Sequence, residues 1–441
     1  MAYTERYETY MDEITSDIER IRTSKDRIVF GYTSNMDVLL TYDEAVFQEI
    51  LDKYLKTDLY SNPDDVIDSM ETFARLVTCY MSQGLGGEVD IVNEEVCKYL
   101  IEHFQTQYSL GGTCAQGSAA LGTVGMPLLV HISDKSEGVC ELMGYPGMEC
   151  VKDGKKVPIR EIAEGNPVYH IIFSYTKGDT FRIGDKVYTV PVSNRMILDF
   201  DTIHKDIVVT EDFRKYVEAH AGHIVSYNIS GFNAIVDTEL AKKRMEELGR
   251  HYEAVKEKNP NCHIYFESAH YLSPAVKHIV YKEISRYVNV MGMNEEELVA
   301  HTQECGATLD HTSLPDVLKG MELLIEKYQV NGITLHTKDY SMYYGDPLTG
   351  ADVEKGLTMG NLLSGTRARV GHYGTLEEIR ESLQCPLSKT GLAFAQELEE
   401  MDLVRSAVLV PSRYLEKPVC TIGLGDTFVA GVQFAFIGQM G

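Results

Sequence analysis

The feature that most constrains the fold is a regular alternation of short apolar segments with amphipathic ones, which begins near Gly222. Short β-branched and apolar segments predict strands, and the longer periodic segments between them predict helices. Because strands joined through helices pair in parallel, we predict an α/β domain with a mainly parallel sheet and helices on both faces. The predicted strands are HIVSYNISG, CHIYFE, YVNVMGM, GITLHT, SAVLVP and VCTIG, and the predicted helices include residues 236–258, SPAVKHIVYKEIS and NEEELVAHTQ.

The first two hundred residues are less regular and predict a second, smaller α+β unit. TFRIGDKVYTV predicts a hairpin that turns at Gly184–Asp185, RIVFGYTSN predicts a strand and a turn, and residues 64–81 predict a helix. YHIIFSY and NRMILDF predict further strands. We therefore expect a discontinuous lid sheet inserted into the large domain. The expected large domain comprises residues 35–64, 112–165 and 198–441, and the expected lid comprises residues 1–34, 65–111 and 166–197.

Charge and cysteine content exclude several classes of function. The chain of 441 residues has 66 acidic and 41 basic side chains, so its formal charge is −25. Such a surface repels phosphate backbones and anionic lipids, and we expect neither nucleic acid nor a membrane as partner. The acidic N-terminal segment does not resemble a signal peptide, and no segment is long and apolar enough to span a membrane. Nine scattered cysteines without a C-x-x-C pair indicate reduced thiols and a cytoplasmic location.

The segment CTIGLGDTF places a glycine turn directly before an apolar helix. The free backbone N–H groups of Gly423, Leu424 and Gly425 would attract an anion at the helix N-terminus, and the helix dipole adds to that attraction. Asp426 in the first helical turn could accept a proton from a hydroxyl group during phosphoryl transfer. The alternative is an ordinary junction in which the aspartate caps a helix. A dinucleotide fingerprint lacks its third glycine, because Phe428 stands there, and no P-loop motif occurs.

Polar residues follow several predicted strands at the point where each strand ends. Glu267, Asn294, His336 and Gly423 all occupy such positions. In open parallel sheets, ligands bind at the carboxyl ends of the strands. These residues are therefore expected to meet at one binding edge of the large sheet.

A series of motifs resembles the family of ADP-dependent glucokinases and phosphofructokinases, which belongs to the ribokinase superfamily. The resemblance spans Gly31 to Phe428, with the motifs in the same order. They are GYTSNMD for the family's N-x-D motif, LGGTCAQGSAALGTVGMP for G-G-x-A-x-x-x-A, HIIFSYTKGD and NRMI for lid strands, SGFNAI for S-G-F-Q, IYFESA for H-x-E, MGMNEEEL for N-x-x-E, and VPSRYLEKPVCTIGLGDTF.

The resemblance implies a ribokinase-like three-layer domain with a lid and a reaction that uses ADP. The terminal phosphoryl group would pass to a hydroxyl of a hexose or hexose phosphate, with Mg²⁺ as cofactor and AMP as product. Two alternatives stay open. One is an ATP-dependent ribokinase-type kinase of a nucleoside or other small alcohol, and the other is a non-catalytic sugar-binding relative.

The same resemblance assigns site residues. Asp426 would be the base, with Gly423, Leu424 and Gly425 as the anion hole. The expected sugar site is formed by Asn35, Asp37, Glu88, Gly111 and Gly112, with Lys177 and Arg195 for a sugar phosphate. The expected nucleotide site contains Asn294, His336, Thr421, Gly423 and Gly425, with Tyr340 beside them, and Glu267 and Glu297 would organise the metal.

Each of these positions also has a structural explanation. The N-x-D pair could form an Asx-turn, Glu88 could be a solvated loop acid, and Gly111 and Gly112 could serve helix packing. Asn294 could cap a helix, Glu297 could lie on a solvated helix face, and the histidine could end a core strand. Glu88 implies a neutral sugar, whereas the lid cations imply a phosphorylated one, and the sequence leaves this choice open.

The sequence departs from the family pattern at three positions. Tyr265 stands in place of the histidine of the H-x-E motif, and His263 lies two residues earlier on the same strand. Ser174 replaces an acid, and Asn233 replaces a glutamine. We expect metal geometry or donor preference to differ from the family at the first of these positions.

Overall fold

The structure, a computed structural model, describes residues 2–55, 59 and 66–439. The strands in chain order are β1 (Arg27–Tyr32), β2 (Asn35–Thr41), β3 (Gly87–Asp90), β4 (Gln105–Gly111), β5 (Leu128–Ile132), β6 (Met148–Lys152), β7 (Lys155–Pro158), β8 (Tyr169–Tyr175), β9 (Thr180–Ile183), β10 (Lys186–Thr189), β11 (Asn194–Phe200), β12 (Ile224–Ile229), β13 (His263–Glu267), β14 (Val290–Asn294), β15 (Gly332–His336), β16 (Tyr340–Gly345) and β17 (Ser406–Pro411).

The α-helices alternate with these strands through most of the chain. They are α1 (Tyr3–Thr23), α2 (Glu44–Tyr54), α3 (Met70–Gln83), α4 (Glu94–His103), α5 (Thr113–Thr123), α6 (Glu137–Leu142), α7 (Glu211–Ala219), α8 (Thr238–Lys258), α9 (Pro274–Ile284), α10 (Glu295–Glu304), α11 (Leu314–Tyr328), α12 (Val353–Val370), α13 (Leu376–Glu381), α14 (Lys389–Glu399) and α15 (Leu424–Val432). Short 3₁₀ turns occupy 159–162, 204–206, 221–223, 232–234, 382–384 and 433–439.

The large unit is built on a ten-stranded sheet in the order β17-β16-β15-β14-β13-β12-β1-β5-β6-β7. Seven adjacent strands, from β15 to β6 in that order, are mutually parallel, and the pairings of β16, β17 and β7 at the two edges are antiparallel. The parallel strands follow from their helical connections, which return the chain to the same end of the sheet. The prediction of an α/β fold with a mainly parallel sheet is confirmed.

Two hydrophobic cores cover the two faces of this sheet. Along β1, Ile28 and Phe30 belong to one core and Val29 to the other, because successive side chains of a strand point to opposite faces. The first core includes the apolar faces of α1, α5, α12 and α15, and the second includes those of α7, α8, α9 and α11. The central strands are buried on both faces, which explains their continuous apolar sequences.

The small unit contains a five-stranded sheet in the order β3-β11-β8-β2-β4. Strands β9 and β10 form a separate antiparallel hairpin, which turns between Ile183 and Lys186 as predicted. Phe47 of α2 packs against Phe173 of β8 and Phe181 of β9, so the helix joins the sheet to the hairpin.

The predicted boundary between the two units is wrong at residue 34. The prediction put residues 1–34 in the lid, but β1 pairs with β5 and β12 in the large sheet, and α1 packs on the same core. It put residues 35–64 in the large domain, but β2 pairs with β4 and β8 in the small sheet. The chain crosses between the sheets at Thr33 and Ser34. The predicted boundary at 64/65 and the predicted helix start at Asp64 lie outside the described residues.

The predicted strand VCTIG is also absent from the part of the chain that the structure describes. The N–H of Val419 donates to the carbonyl oxygen of Ala368 on α12 at 2.7 Å, so this backbone pairs with a helix end and not with a strand. Residues 419–423 form an irregular segment that leads into α15. The last strand of the large sheet is therefore β17.

No helix in the described ranges combines the length and the apolar character that crossing a bilayer requires.

Candidate active site

The N-terminus of α15 lies at the centre of the site. Gly423 occupies the N-cap position with φ of 66°, in the left-handed region that favours glycine, and no side chain caps the helix. A Cβ atom at Gly423 would lie 1.8 Å from Oε1 of Gln116, so only glycine fits. The backbone N–H groups of Leu424 and Gly425, in the first turn, therefore have no partner within their own helix.

Two cavities border this helix start. The Asn35 cavity has a volume of about 580 Å³ and is bordered by Asp426, and the Thr421 cavity has a volume of about 500 Å³ and is bordered by Leu424 and Gly425. Residues around the Asn35 cavity include Thr33, Asn35, Glu88, Gly112, Thr113, His170, Asp199, Asp201, His204, Gly231 and Asn233. Residues around the Thr421 cavity include Asn294, Glu295, His336, Lys338, Asn361, Arg413, Pro418 and Thr421.

Asp426 is partly buried and lies where the N-termini of α5 and α15 meet. Its side chain accepts a hydrogen bond from Thr113, the first residue of α5. Burial raises the pKa of Asp426 above its ordinary value of 3.8, whereas the hydrogen bond from Thr113 lowers it. The charge of Glu267 raises this pKa further, and the charge of Arg367 opposes that effect. The net rise makes this carboxylate a better proton acceptor than an exposed aspartate.

Of the two polar residues of the N-x-D motif, Asn35 borders the Asn35 cavity, and Asp37 is hydrogen-bonded to Asn35 without bordering the cavity itself. Nδ2 of Asn35 donates to Oδ1 of Asp37 at 2.7 Å, and both side chains are buried. Burial raises the pKa of Asp37 to about 6, although His170 and the hydrogen bond from Asn35 lower it. Gly111 pairs with Asn35 across the sheet, and a Cβ atom there would lie 2.1 Å from Nδ2 of Asn35. The predicted glycine is required by this side-chain pair.

Sequence reasoning missed a group of histidines and acids on the same cavity. His170 lies between the carboxylates of Asp199 and Asp201, each at 3.6 Å, and Nδ1 of His204 lies 2.7 Å from Oδ2 of Asp201. Burial lowers the pKa of His170, but Asp199, Asp201 and Asp37 together raise it to about 9. Ligand atoms of His170, Asp201 and His204 lie within 4.8 Å of one another, a donor set that could hold a metal ion. The sequence signal that could have predicted this group is the pair of acids Asp199 and Asp201 at the end of NRMILDFD.

The predicted contacts to a sugar phosphate are not assembled. Glu88 borders the Asn35 cavity, but Lys177 and Arg195 are exposed and border neither described cavity. Arg195 lies four residues before Asp199 on β11, so it shares the cavity face of the small sheet at a point further out. Ser174 of β8 lies opposite Arg195 of β11 and is exposed.

Glu267 is held by two hydrogen bonds at the carboxyl end of β13. Its Oε1 accepts from Nε2 of His336 at 2.8 Å, and its Oε2 accepts from the hydroxyl group of Tyr265 at 3.1 Å. Burial lowers the pKa of His336, but the charge and hydrogen bond of Glu267 raise it above its ordinary value. His263 takes no part, because its ring stacks on Phe436 at 4.7 Å, away from Glu267.

Asn294 and Glu297 form a capping box at the start of α10. The N–H of Glu297 donates to Oδ1 of Asn294 at 2.9 Å, and the N–H of Asn294 donates to Oε2 of Glu297 at 3.1 Å. Asn294 therefore caps a helix, which is the structural explanation that the sequence offered for this motif. Burial and the nearby carboxylate of Glu267 raise the pKa of Glu297 to about 7, so the two acids repel each other.

Most of the predicted nucleotide residues lie together, but Gly423, the N-cap of α15, borders neither cavity, and Tyr340 is a second exception. Asn294, His336 and Thr421 border the Thr421 cavity. Tyr340 does not, because its ring packs against Phe394 at 5.3 Å in the core beneath α14.

The geometry defines a class of enzyme. Two cavities meet at an uncapped helix start, where unpaired N–H groups at one cavity suit a phosphate and Asp426 borders the other cavity. An α/β fold with this arrangement is that of a small-molecule kinase. The chain belongs to the ADP-specific phosphofructokinase/glucokinase family, whose conserved region matches residues 26–434.

Characterised relatives align over almost the full length. The ADP-specific phosphofructokinase of Pyrococcus furiosus is 23% identical over 93% of this chain and 96% of its own. The ADP-dependent glucose/glucosamine kinase of the same organism is 23% identical over 98% of both chains.

Solved structures share the fold. A hypothetical ADP-dependent phosphofructokinase from Pyrococcus horikoshii OT3 superposes with a TM-score of 0.80 at 21% identity, covering 93% of this chain and 98% of its own. An ADP-dependent kinase in complex with fructose 6-phosphate and ADPβS superposes with a TM-score of 0.75 at 18% identity, covering 100% of this chain and 99% of its own.

Proposed function

We propose that this chain is an ADP-dependent sugar kinase, which transfers the terminal phosphoryl group of ADP to a hydroxyl group of a hexose or hexose phosphate and releases AMP. The observation that carries the proposal is the position of Asp426, at the helix start where the two cavities meet. The family match supports it, as do the names of the relatives, which act on glucose, glucosamine or fructose phosphate with ADP.

In this proposal, the Asn35 cavity binds the sugar and the Thr421 cavity binds the nucleotide. The N–H groups of Leu424 and Gly425 face the transferring phosphoryl group and stabilise its negative charge in the transition state. Asp426 accepts the proton of the attacking hydroxyl group. Its raised pKa suits that role, because a proton acceptor works best when its pKa approaches the working pH.

The sugar is held by groups that accept and donate hydrogen bonds in pairs. Asp37 is oriented by Asn35, and its carboxylate can accept bonds from two neighbouring hydroxyl groups. Glu88 borders the same cavity, whereas the two lid cations do not. This difference favours an unphosphorylated hexose as acceptor.

Phosphoryl transfer of this family calls for a divalent metal, and we propose magnesium. The residues present fit this ion, because the repelling carboxylates of Glu267 and Glu297 are bonded to His336 and Asn294, which border the Thr421 cavity, and a cation would relieve their repulsion. Both carboxylates already accept hydrogen bonds, so they would hold the ion through its water molecules. The bound ion would neutralise charge on the diphosphate.

We also propose that the small unit acts as a lid that excludes water from the reacting groups. The cytoplasm is the proposed location, since all nine cysteines are free thiols, as expected in a reducing compartment.

The test is a panel of sugars and sugar phosphates, each assayed with ADP and with ATP, with AMP and ADP products separated. We expect AMP formation with a hexose and a loss of at least about 1000-fold in kcat for Asp426→Asn, with little change in KM. Asp402→Asn, at an exposed position far from the cavities, serves as the control and should match the wild type. Turnover with ATP alone, on a nucleoside or small alcohol, would overturn the donor assignment. Ligand binding without any turnover would make the protein a non-catalytic relative.

A further inference from the structure

The guanidinium group of Arg367 is a buried cation close to the start of α15. The residue lies on α12 with only 6% of its surface exposed. Its Nη1 donates a long bond of 3.3 Å to Oγ1 of Thr427, its guanidinium group stacks over the ring of Tyr373 at 4.4 Å, and its Nε has no hydrogen-bond partner. Within the described ranges, no carboxylate forms an ion pair with it at 4 Å or less.

Two other buried cations in this protein have carboxylate partners, whereas the buried Arg413, which borders the Thr421 cavity, has none in the described ranges. Arg244 is 9% exposed, and its guanidinium group pairs with Asp206 at 2.7 Å. Lys355 is 8% exposed and pairs with Asp17 at 2.5 Å. Because an unpaired charge is costly in a protein interior, Arg367 indicates a site for an anion that the chain itself does not supply.

The direction of the guanidinium group locates that anion. Nη2 of Arg367 lies 2.9 Å from the point where a Cβ atom of Gly423 would stand. Oε1 of Gln116, which lies on the same side of the turn without a hydrogen-bond partner, is an acceptor and contributes no bond to the anion. The arginine therefore approaches the glycine turn from the flank, next to the unpaired N–H groups of the first helical turn.

We propose that the Arg367 guanidinium group binds the terminal phosphoryl group of the donor and stays with it during transfer. This inference rests on the proposed function. In the reaction, the bond between the terminal phosphorus and the bridging oxygen breaks, and a bond forms from the hydroxyl oxygen of the sugar to that phosphorus. The hydroxyl proton passes to Asp426, and AMP leaves with the bridging oxygen. Arg367 forms no covalent bond and transfers no proton, and its charge offsets the charge of the moving group.

This assignment distinguishes ADP from AMP, because AMP lacks the group that Arg367 binds. Arg367→Met keeps an unbranched apolar stem but removes the guanidinium group and its charge. We expect the Kd for ADP, measured by calorimetry, to rise at least tenfold, and the Kd for AMP to stay within twofold. We expect kcat to fall 100- to 1000-fold, the loss typical of removing one charged group from a phosphate or oxyanion site. Arg367→Lys should recover part of the loss.

Arg369→Met is the matched control. Arg369 lies two residues further along α12, where it donates to Ser382 and pairs with Glu381, on the side away from the cavities. The Arg369→Met variant should bind ADP with the wild-type Kd and retain the wild-type kcat. The thermal midpoint of Arg367→Met without ligand should equal or exceed that of the wild type, because the variant removes an unpaired buried charge. A merely structural arginine would give a lower midpoint.

Three results would overturn the inference. The first is equal weakening of ADP and AMP binding in Arg367→Met, and the second is activity equal to that of the Arg369→Met control. The third is wild-type protein that binds AMP but not ADP. If the wild type binds ADP but phosphorylates no acceptor, the proposed function fails, and the comparison of ADP with AMP still decides the role of Arg367.

Discussion

Replacing Asp37 with asparagine should make the ligand-free protein more stable and the enzyme nearly inactive. The carboxyl group is 6% exposed, and its pKa rises from 3.8 to about 6 in the folded protein. A displacement of that size corresponds to an unfavourable contribution of about 3 kcal/mol at neutral pH. Asparagine has the same shape, and its carbonyl oxygen can still accept the hydrogen bond from Asn35.

The sign of the pH dependence follows from the direction of the pKa change. As the pH falls through about 6, the folded wild type takes up a proton before the unfolded chain does, so the wild type gains stability relative to the variant. The advantage of Asp37→Asn should be complete above pH 7, decrease below pH 6 and vanish near pH 4. For a chain of 441 residues, 3 kcal/mol corresponds to a change of about 3 °C in thermal midpoint.

The assay is thermal unfolding from pH 5 to 8 without sugar or nucleotide, followed by kinetics with the best acceptor. We expect kcat/KM for the sugar to fall about 100-fold, because a charged hydrogen-bond acceptor is lost. Asp90→Asn is the control on β3, at one edge of the same five-stranded sheet. Its carboxylate pairs with Lys205 at 2.9 Å and is 42% exposed, so it should give no gain in stability. Equal midpoints at pH 7.5, or an advantage that grows on acidification, would refute the reasoning.

Two further predictions concern Tyr265, which replaces the histidine of the family motif, and the choice between a neutral and a phosphorylated sugar. Tyr265→Phe removes the hydroxyl group that donates to Glu267. The metal concentration for half-maximal activity should therefore rise about tenfold. An unchanged metal titration would contradict this role of Tyr265. Lys177→Met combined with Arg195→Met tests the preference for an unphosphorylated hexose, because a much larger loss of activity on fructose 6-phosphate than on glucose would show that these side chains bind a sugar phosphate on the closed lid. Equal losses on both substrates would assign them a structural role.

The pattern of the sequence predicted the large sheet well because periodicity reports burial. Strands such as β12 and β13 are buried along their whole length and rich in apolar residues, and the helix between them is amphipathic, so both signals are local. The crossing at Thr33–Ser34 had no such signal. It needs no glycine or proline, and β1 and β2 are both buried, so only pairing with distant strands separates them.

The site was predicted where chemistry lies in a short motif and missed where it depends on distant contacts. The glycine turn and Asp426 stand together in the sequence, and so do Asn35 and Asp37. Arg367 had no local signal, because a helical arginine is usually solvated, and only its burial against Thr427 and Tyr373 distinguishes it. The strand prediction for VCTIG was wrong because its composition is strand-like but its backbone pairs with the end of α12 and not with a strand.

The described chain crosses between the two sheets four times, at residues 33–34, 112, 163–168 and 201–210. Three of these crossings carry residues of the Asn35 cavity, among them Thr33, Gly112 and Asp201. In the proposed function, the segments that connect the two units would therefore also contact the acceptor. Substitutions there that change acceptor specificity will also change how the two units move relative to each other. Substitutions in these segments should show strong epistasis, and selection for a new acceptor should need compensating changes at more than one crossing.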